Sequence, residues 1–435
     1  MNEINAGVML LRPWNGKHMI AGVGRSPVII PVGIDETCQE AVHVTRRLQE
    51  ELGGRLFLRQ VIDVSSPERE RRLFVAEAQD GSFPERRWLP ADEHRADVTN
   101  SLRSALIGEE NLDRFHESVV EEIIEAPDLP WCRPGWFNAL QSRIEAHFSV
   151  STDIQPYKLR LGRIVLRAAN SHGMYEIHAA SPNGMAGWAS DPLYDAEARG
   201  LLQGWRPALI ASFPELGAEL REAPLGASLV TLGDLSHWST AMKSMAELQF
   251  RSSMNMNAAS ASADLSSRFR TCMQEWQAQE IFARGFGARS LEWIQDCVSD
   301  AGEVLDESAL PQVLVNGAMS GFTTYIAGSQ IQISEWEPTY VGHPFTTLAR
   351  PLSHRAGALG EHQQAILARP FVGAWLRYCR PADLSKEVRA GIVVGSAVQA
   401  TAAWERGRSF TVSATPALGP QIAGWCETIL RRAAG

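Results

Sequence analysis

The sequence predicts an α+β protein, with a strand-rich opening, a second short run of paired strands and a mainly helical remainder. Three observations carry this. Residues 8–23 (VMLLRPWNGKHMIAGV) and 26–34 (SPVIIPVGI) alternate apolar with other residues and are broken by glycine and proline, the pattern of strands. From about Thr37 to Glu51 the period lengthens. Ala41, Val44, Leu48 and Leu52 recur at three and four residues, an amphipathic helix that stops at Gly53-Gly54. Beyond residue 231, helical spacing dominates.

The elements follow in order. LFLRQVIDV (56–64) and RRLFVAEAQ (71–79) read as strands, and RRWLPADEHRADVTNSLRSAL (86–106) as strand, turn and helix. Residues 126–138 (APDLPWCRPGWFN) are rich in proline and aromatics and read as a linker into a second unit. After a helix from Gly135 to Phe148, KLRLGRIVLRAAN (158–170) and MYEIHAAS (174–181) form a strand pair about the Asn170–Gly173 turn. DPLYDAEARGLLQGW (191–205) is a helix, LREAPLGASLV (220–230) a strand and its exit, and His237–Gln249 an amphipathic helix. Residues 252–267 form a Ser/Ala/Asn-rich tract without hydrophobic period, read as a loop. Helices at 268–283 and 288–299 and a helical end from Pro351 complete the reading.

Composition narrows the function. With 435 residues the chain suits about three units of ~150 residues. A net charge of −9 marks no general nucleic-acid binder. No apolar run approaches the ~20 residues of a membrane span, and Met1–Ser26 lacks a signal-peptide core. Six cysteines (Cys38, Cys132, Cys272, Cys297, Cys379, Cys426) lie far apart without a C-x-x-C pair, which argues for reduced thiols and a cytoplasmic location rather than zinc or disulfides.

Two segments carry a resemblance to known families. RRLQEELGG (Arg46–Gly54) resembles the core of a Nudix box, and RRWLPADEH resembles the end of a Nudix domain. The likeness spans roughly Val8 to Leu106. It implies an α/β/α sandwich and makes Glu50 and Glu51 candidate magnesium ligands. Arg47 stands where that family has a glutamate, and Cys38 where the upstream acid belongs. A guanidinium ~5 Å from a divalent ion costs roughly 6 kcal/mol at an effective dielectric of ~20, so Arg47 is expected to pair with Glu51 one helical turn away.

Leu314–Pro344 (LVNGAMSGFTTYIAGSQIQISEWEPTYVGHP) resembles the active-site segment of the aminoglycoside/choline phosphotransferase family, His-Gly-Asp-x-His-x-x-Asn, a hairpin, Ile-Asp-Trp-Glu and Gly-His-Pro. Here the first His is Asn316, the catalytic Asp is Ala318, the second His is Ser320 and the Asn is Thr323; the metal-binding Asp is Glu335. Gly317, Trp336, Glu337, Gly342, His343 and Pro344 are retained. The same alignment places His178 at the phosphate-contacting lysine and Glu197 at the glutamate that pairs with it. LPWCRPGWF resembles a segment in bacterial proteins that join a Nudix-like to a phosphotransferase-like domain.

The resemblance therefore implies a Nudix-like domain (1–125), a linker and kinase-like small lobe (126–230) and a helical large lobe (231–435). Phosphoryl transfer needs ions, phosphate donors and a carboxylate base, and Ala318 supplies no base. The leading expectation is a catalytically degenerate pseudokinase that binds, scaffolds or regulates, with an unidentified protein or small molecule as partner. ATP or another nucleotide with magnesium stays open as a ligand, through His178, Glu197, Thr323 and Glu335. Glu335 is read either as a residual ion contact or as a surface or capping carboxylate beside Trp336. The alternatives are an ATP-dependent phosphotransferase of the aminoglycoside or amino-sugar type that recruits Glu335 with Asp300 or Asp306, and an enzyme of another reaction using the same cleft.

Overall fold

The computed structural model describes residues 3–14, 17–23, 26–27, 29–35, 41–63, 71–79, 83, 87–91, 93, 95–106, 129–160, 162–181, 190–254, 265–278, 288–353, 361–376, 381–407 and 415–433. The fold is mixed α+β and divides into two compact units. The first comprises Met1–Gly184, Leu209–Ala223 and Arg406–Ala417; the second comprises Met185–Ala208, Pro224–Glu405 and Leu418–Gly435.

The first unit opens with β1 (Glu3–Trp14), β2 (Lys17–Val23), β3 (Ser26–Pro27), β4 (Ile30–Asp35), α1 (Ala41–Leu52), β5 (Leu56–Asp63), β6 (Arg71–Ala78), β7 (Arg87–Pro90) and α2 (Arg95–Leu106). The strands form one sheet in the order β3-β2-β1-β6-β5, with β4 beside β1 and β7 beside β2. Only the β1–β6 pairing is parallel among those described. Strand alternation explains the core. Val8 and Leu10 on β1 join Leu56, Leu58, Phe74 and Ala76 under Ala41, Val44 and Leu48 of α1. Met9, Leu11, Leu73 and Val75 point to the other face and are equally buried, and α2 packs against β1, β3 and β6.

The Pro-Trp segment is a buried seam. Trp131, Cys132, Trp136 and Phe137 are all buried. The Trp131 indole donates to the Arg59 carbonyl at 3.1 Å and Arg59 donates to the Cys132 carbonyl. Phe137 stacks on Phe57 with ring centroids 4.7 Å apart. Gly135, at φ +73°, makes the turn into α3 (Trp136–Phe148). Across this seam lies a second sheet of β8 (Asp153–Arg160), β9 (Arg163–Asn170), β10 (Gly173–Ala180), β11 (Leu209–Phe213) and β12 (Ala218–Glu222), ordered β11-β12-β10-β9-β8 and antiparallel throughout. The Trp136 indole ties α3 to it through the Leu216 carbonyl at 2.8 Å. Burying three large aromatic side chains and Cys132 is worth several kcal/mol, which is why this segment does not behave as a solvated linker.

The second unit holds α4 (Ser190–Ala198), β13 (Ala227–Ser228), α5 (Leu229–Leu232), α6 (Leu235–Ser253), α7 (Leu265–Ala278), α8 (Ala288–Asp306), β14 (Val313–Asn316), β15 (Thr324–Ala327), β16 (Gln330–Ile333), β17 (Thr339–Gly342), α9 (Glu361–Trp375), α10 (Pro381–Gly407) and α11 (Thr415–Ala433, whose first turn belongs to the first unit). β14 pairs with β17, and the β15–β16 hairpin pairs with β13. Trp238, Met245, Leu314, Trp336, Phe345, Phe371 and Trp375 share one apolar core with Ile392 and Val398 of α10. That helix runs against the turn at 344–349 at backbone distance: a Cβ on Gly395 would sit 2.3 Å from the Thr346 carbonyl oxygen. Among the described residues no helix is long and apolar enough to cross a membrane. The Ser/Ala/Asn-rich tract falls mostly outside the described residues.

Candidate active-site loop

β14 delivers Asn316 to a turn whose polar groups are spent on one another. The Asn316 side-chain oxygen accepts from the Ala318 N–H at 2.7 Å, and its amide nitrogen donates to the Glu335 carbonyl at 3.4 Å. Gly317 donates to the Pro338 carbonyl at 2.8 Å and accepts from the Gln399 amide at 2.7 Å. A Cβ there would meet Pro338 and Gln399 at 2.8–2.9 Å, so the retained glycine is demanded by packing. Ala318 is 1% exposed.

Thr323 locks the turn. Its hydroxyl has one proton, which goes to the Ala318 carbonyl at 2.8 Å; its oxygen accepts the Ser320 N–H at 2.9 Å and lies 3.0 Å from the Ser320 hydroxyl. Its own carbonyl accepts from the Ser334 N–H at 2.9 Å. A hydroxyl so committed has no lone pair to offer a metal ion without breaking the turn. Glu335 is 4% exposed, buried beside Trp336, whose indole donates to the Ile333 carbonyl at 2.9 Å. It is no surface carboxylate. Asp300 and Asp306 lie on α8.

His343 brings together groups that no spacing rule connects. Its Nε2 lies 3.1 Å from the Ser308 hydroxyl and 3.5 Å from the Glu387 carboxylate, and Ser308 donates to Glu387 at 2.8 Å. The composition is that of a hydrolase triad, but the proton directions are reversed. Nδ1 accepts from the Phe345 N–H at 3.3 Å, so a neutral ring carries its proton on Nε2. Because the Ser308 O–H donates to Glu387, the serine oxygen receives from the imidazole and cannot be activated by it. Burial pushes the His343 pKa down to about 3, which keeps the ring neutral. The trio caps the 344–349 turn and fastens it to α10.

The remaining candidates are each held within their own unit. His178, on β10, is 9% exposed. Arg163 stands 2.8 Å from its Nδ1 and Glu176 3.2 Å from its Nε2. A guanidinium only donates, so Nδ1 accepts and Nε2–H points to Glu176. Glu197, on α4, takes Arg206 at 2.6 Å. On α1, Arg47 sits 3.9 Å from Glu50 and 4.0 Å from Glu51. The cation thus stands between the two carboxylates that magnesium would need, and these residues do not fit the ion. Nor does the Thr323–Glu335 pair, whose hydroxyl is used internally. Among the described residues no three His, Cys, Asp or Glu side chains cluster to hold a metal.

No family model matches the chain, and no curated protein does. Solved structures with a similar arrangement include choline kinase from Cryptosporidium parvum Iowa II, 11% identical over 64% of this chain and 89% of that one, with a TM-score of 0.45. Choline kinase LicA from Streptococcus pneumoniae is 9% identical over 68% and 98%, TM-score 0.48. The apo form of a thermostable aminoglycoside phosphotransferase mutant, APH(4)-Ia, is 12% identical over 68% and 99%, TM-score 0.46.

Proposed function

We propose that this chain is a phosphotransferase-like pseudokinase joined to a Nudix-like module, and that it acts by binding rather than by transferring phosphate. The observation that carries the reading is the Thr323 hydroxyl. It stands at the metal-ligand position of the resembled motif and is consumed in pinning the turn around a buried Ala318. The methyl of Ala318 replaces a general base normally worth about 10²–10⁴ in rate. The Nudix-like helix supports the same reading, because Arg47 pairs with both Glu50 and Glu51 on the face that would collect the ion.

The test is a phosphoryl-transfer assay on the full chain with labelled ATP, magnesium and a panel of choline, ethanolamine, aminoglycosides and amino sugars. The expected result is no labelled product above a protein-free blank. Saturable transfer to any acceptor, lost when Glu335→Gln is introduced, overturns the proposal.

A further inference from the structure

The first unit contains a groove that none of the resemblances accounts for. It lies between α1, the start of β5 and the start of β8, with a volume near 170 Å³. Its inner wall holds Thr45, which is 5% exposed and whose hydroxyl has no hydrogen-bond partner. A buried hydroxyl left unpaired costs about 1–3 kcal/mol, and a helical threonine ordinarily satisfies itself on the preceding turn. Here it faces the groove. Beside it, Gln49 uses its amide nitrogen on the Leu56 carbonyl at 3.2 Å, leaving the amide oxygen as an acceptor. Phe57 and Phe137 form the apolar lining, and Arg46 and Arg55 stand exposed at the rim.

Helix geometry separates this groove from the Nudix-like carboxylates. At 100° per residue, positions 45, 46 and 49 centre roughly 150° away from positions 47, 50 and 51. The groove is thus a different site, and it does not depend on the proposed loss of phosphoryl transfer.

We infer that the groove binds a small organic molecule with a single oxyanionic end, a phosphate monoester or a carboxylate. Arg46 and Arg55 hold the oxyanion, the hydroxyl of Thr45 and the oxygen of Gln49 hold the polar body, and the side chains of Phe57 and Phe137 take the apolar end. Asp153, at the β8 side and bonded to Gln155 at 2.9 Å, repels a second anionic group. The volume lies below the ~300–1,000 Å³ of drug-sized sites, so the groove suits a compact ligand.

The experiment is calorimetric titration of the full chain with phenyl phosphate, with benzoate, inorganic phosphate and phenol as separate arms. Saturable binding of phenyl phosphate or benzoate is expected, with phenol at least tenfold weaker. Arg46→Gln should weaken binding about tenfold or more and Thr45→Val about three- to tenfold, whereas Glu50→Gln on the other helix face should change it less than twofold. Thr45→Val should fold with an unchanged or higher melting temperature, since the hydroxyl has no protein partner to lose. No saturable binding of either oxyanion, binding indifferent to both substitutions, or a Thr45→Val chain that melts well below the parent would each overturn the assignment.

Discussion

Thr323→Val isolates the central physical statement, because it removes a hydroxyl while keeping the side-chain shape. In the parent, that hydroxyl donates to the Ala318 carbonyl at 2.8 Å and accepts from the Ser320 N–H at 2.9 Å. Thr323 is fully buried, Ala318 is 1% and Ser320 4% exposed, so water cannot replace either bond without opening the turn. Each orphaned backbone group costs about 1–3 kcal/mol, and relaxation recovers part of the second. The expected loss is therefore about 2–4 kcal/mol. For a cooperative unit of about 200 residues, 1 kcal/mol moves the melting temperature by roughly 2–4 °C, so a fall of about 5–15 °C is anticipated. Differential scanning calorimetry and urea titration of the full chain read this out. A change below ~0.5 kcal/mol would refute the assignment of Thr323 as the lock of the loop.

Other expectations follow from the same structure. Gly395→Ala places a methyl 2.3 Å from the Thr346 carbonyl, and urea titration should show about 2–4 kcal/mol lost to overpacking. His343 titrates near 6.5 when unfolded and at about 3 when folded. The unfolded chain therefore takes up a proton first, and stability falls as pH drops from about 6.5 to about 3, by up to about 1.4 kcal/mol per unit from this group; His343→Gln should flatten that part of the stability profile. Combining Ala318→Asp, Thr323→Asn and Glu335→Asp should leave turnover below the ~1–100 s⁻¹ of kinases, because catalytic groups act as a unit and His178 stays bonded to Arg163 and Glu176. A coupled ADP-release assay checks this.

Local pattern made much of the fold legible. The change of period at Ala41, Val44 and Leu48 located α1, and the turn at Asn170–Gly173 joins β9 to β10 with the His172 N–H bonded to the Asn170 side chain at 2.8 Å. The helix read as His237–Gln249 extends to Leu235–Ser253, because Asp234 caps it by accepting from the Ser236 N–H at 2.8 Å; that capping signal was present in the sequence. The seam at Trp131 and Trp136 was hidden, since proline and aromatics mark linkers and buried joints alike, and only the partners Phe57, Arg59 and Leu216 distinguish them. At the site, the departures from the resembled motif at Asn316, Ala318, Ser320, Thr323 and Glu335 could be read directly, but the use of Thr323 could not, since it depends on hydrogen bonds inside a closed turn. Ser308, His343 and Glu387 meet across 79 residues, and Arg163 reaches His178 from a neighbouring strand. A single sequence records neither encounter.

The most direct measurement is the anomalous signal of manganese in crystals soaked with a non-hydrolysable ATP analogue and Mn²⁺. A closed turn with its hydroxyl already spent predicts no manganese peak within coordination distance of the Thr323 hydroxyl or the Glu335 carboxylate. Two ordered ions bound there, with Thr323 released from the Ala318 carbonyl, would contradict the account.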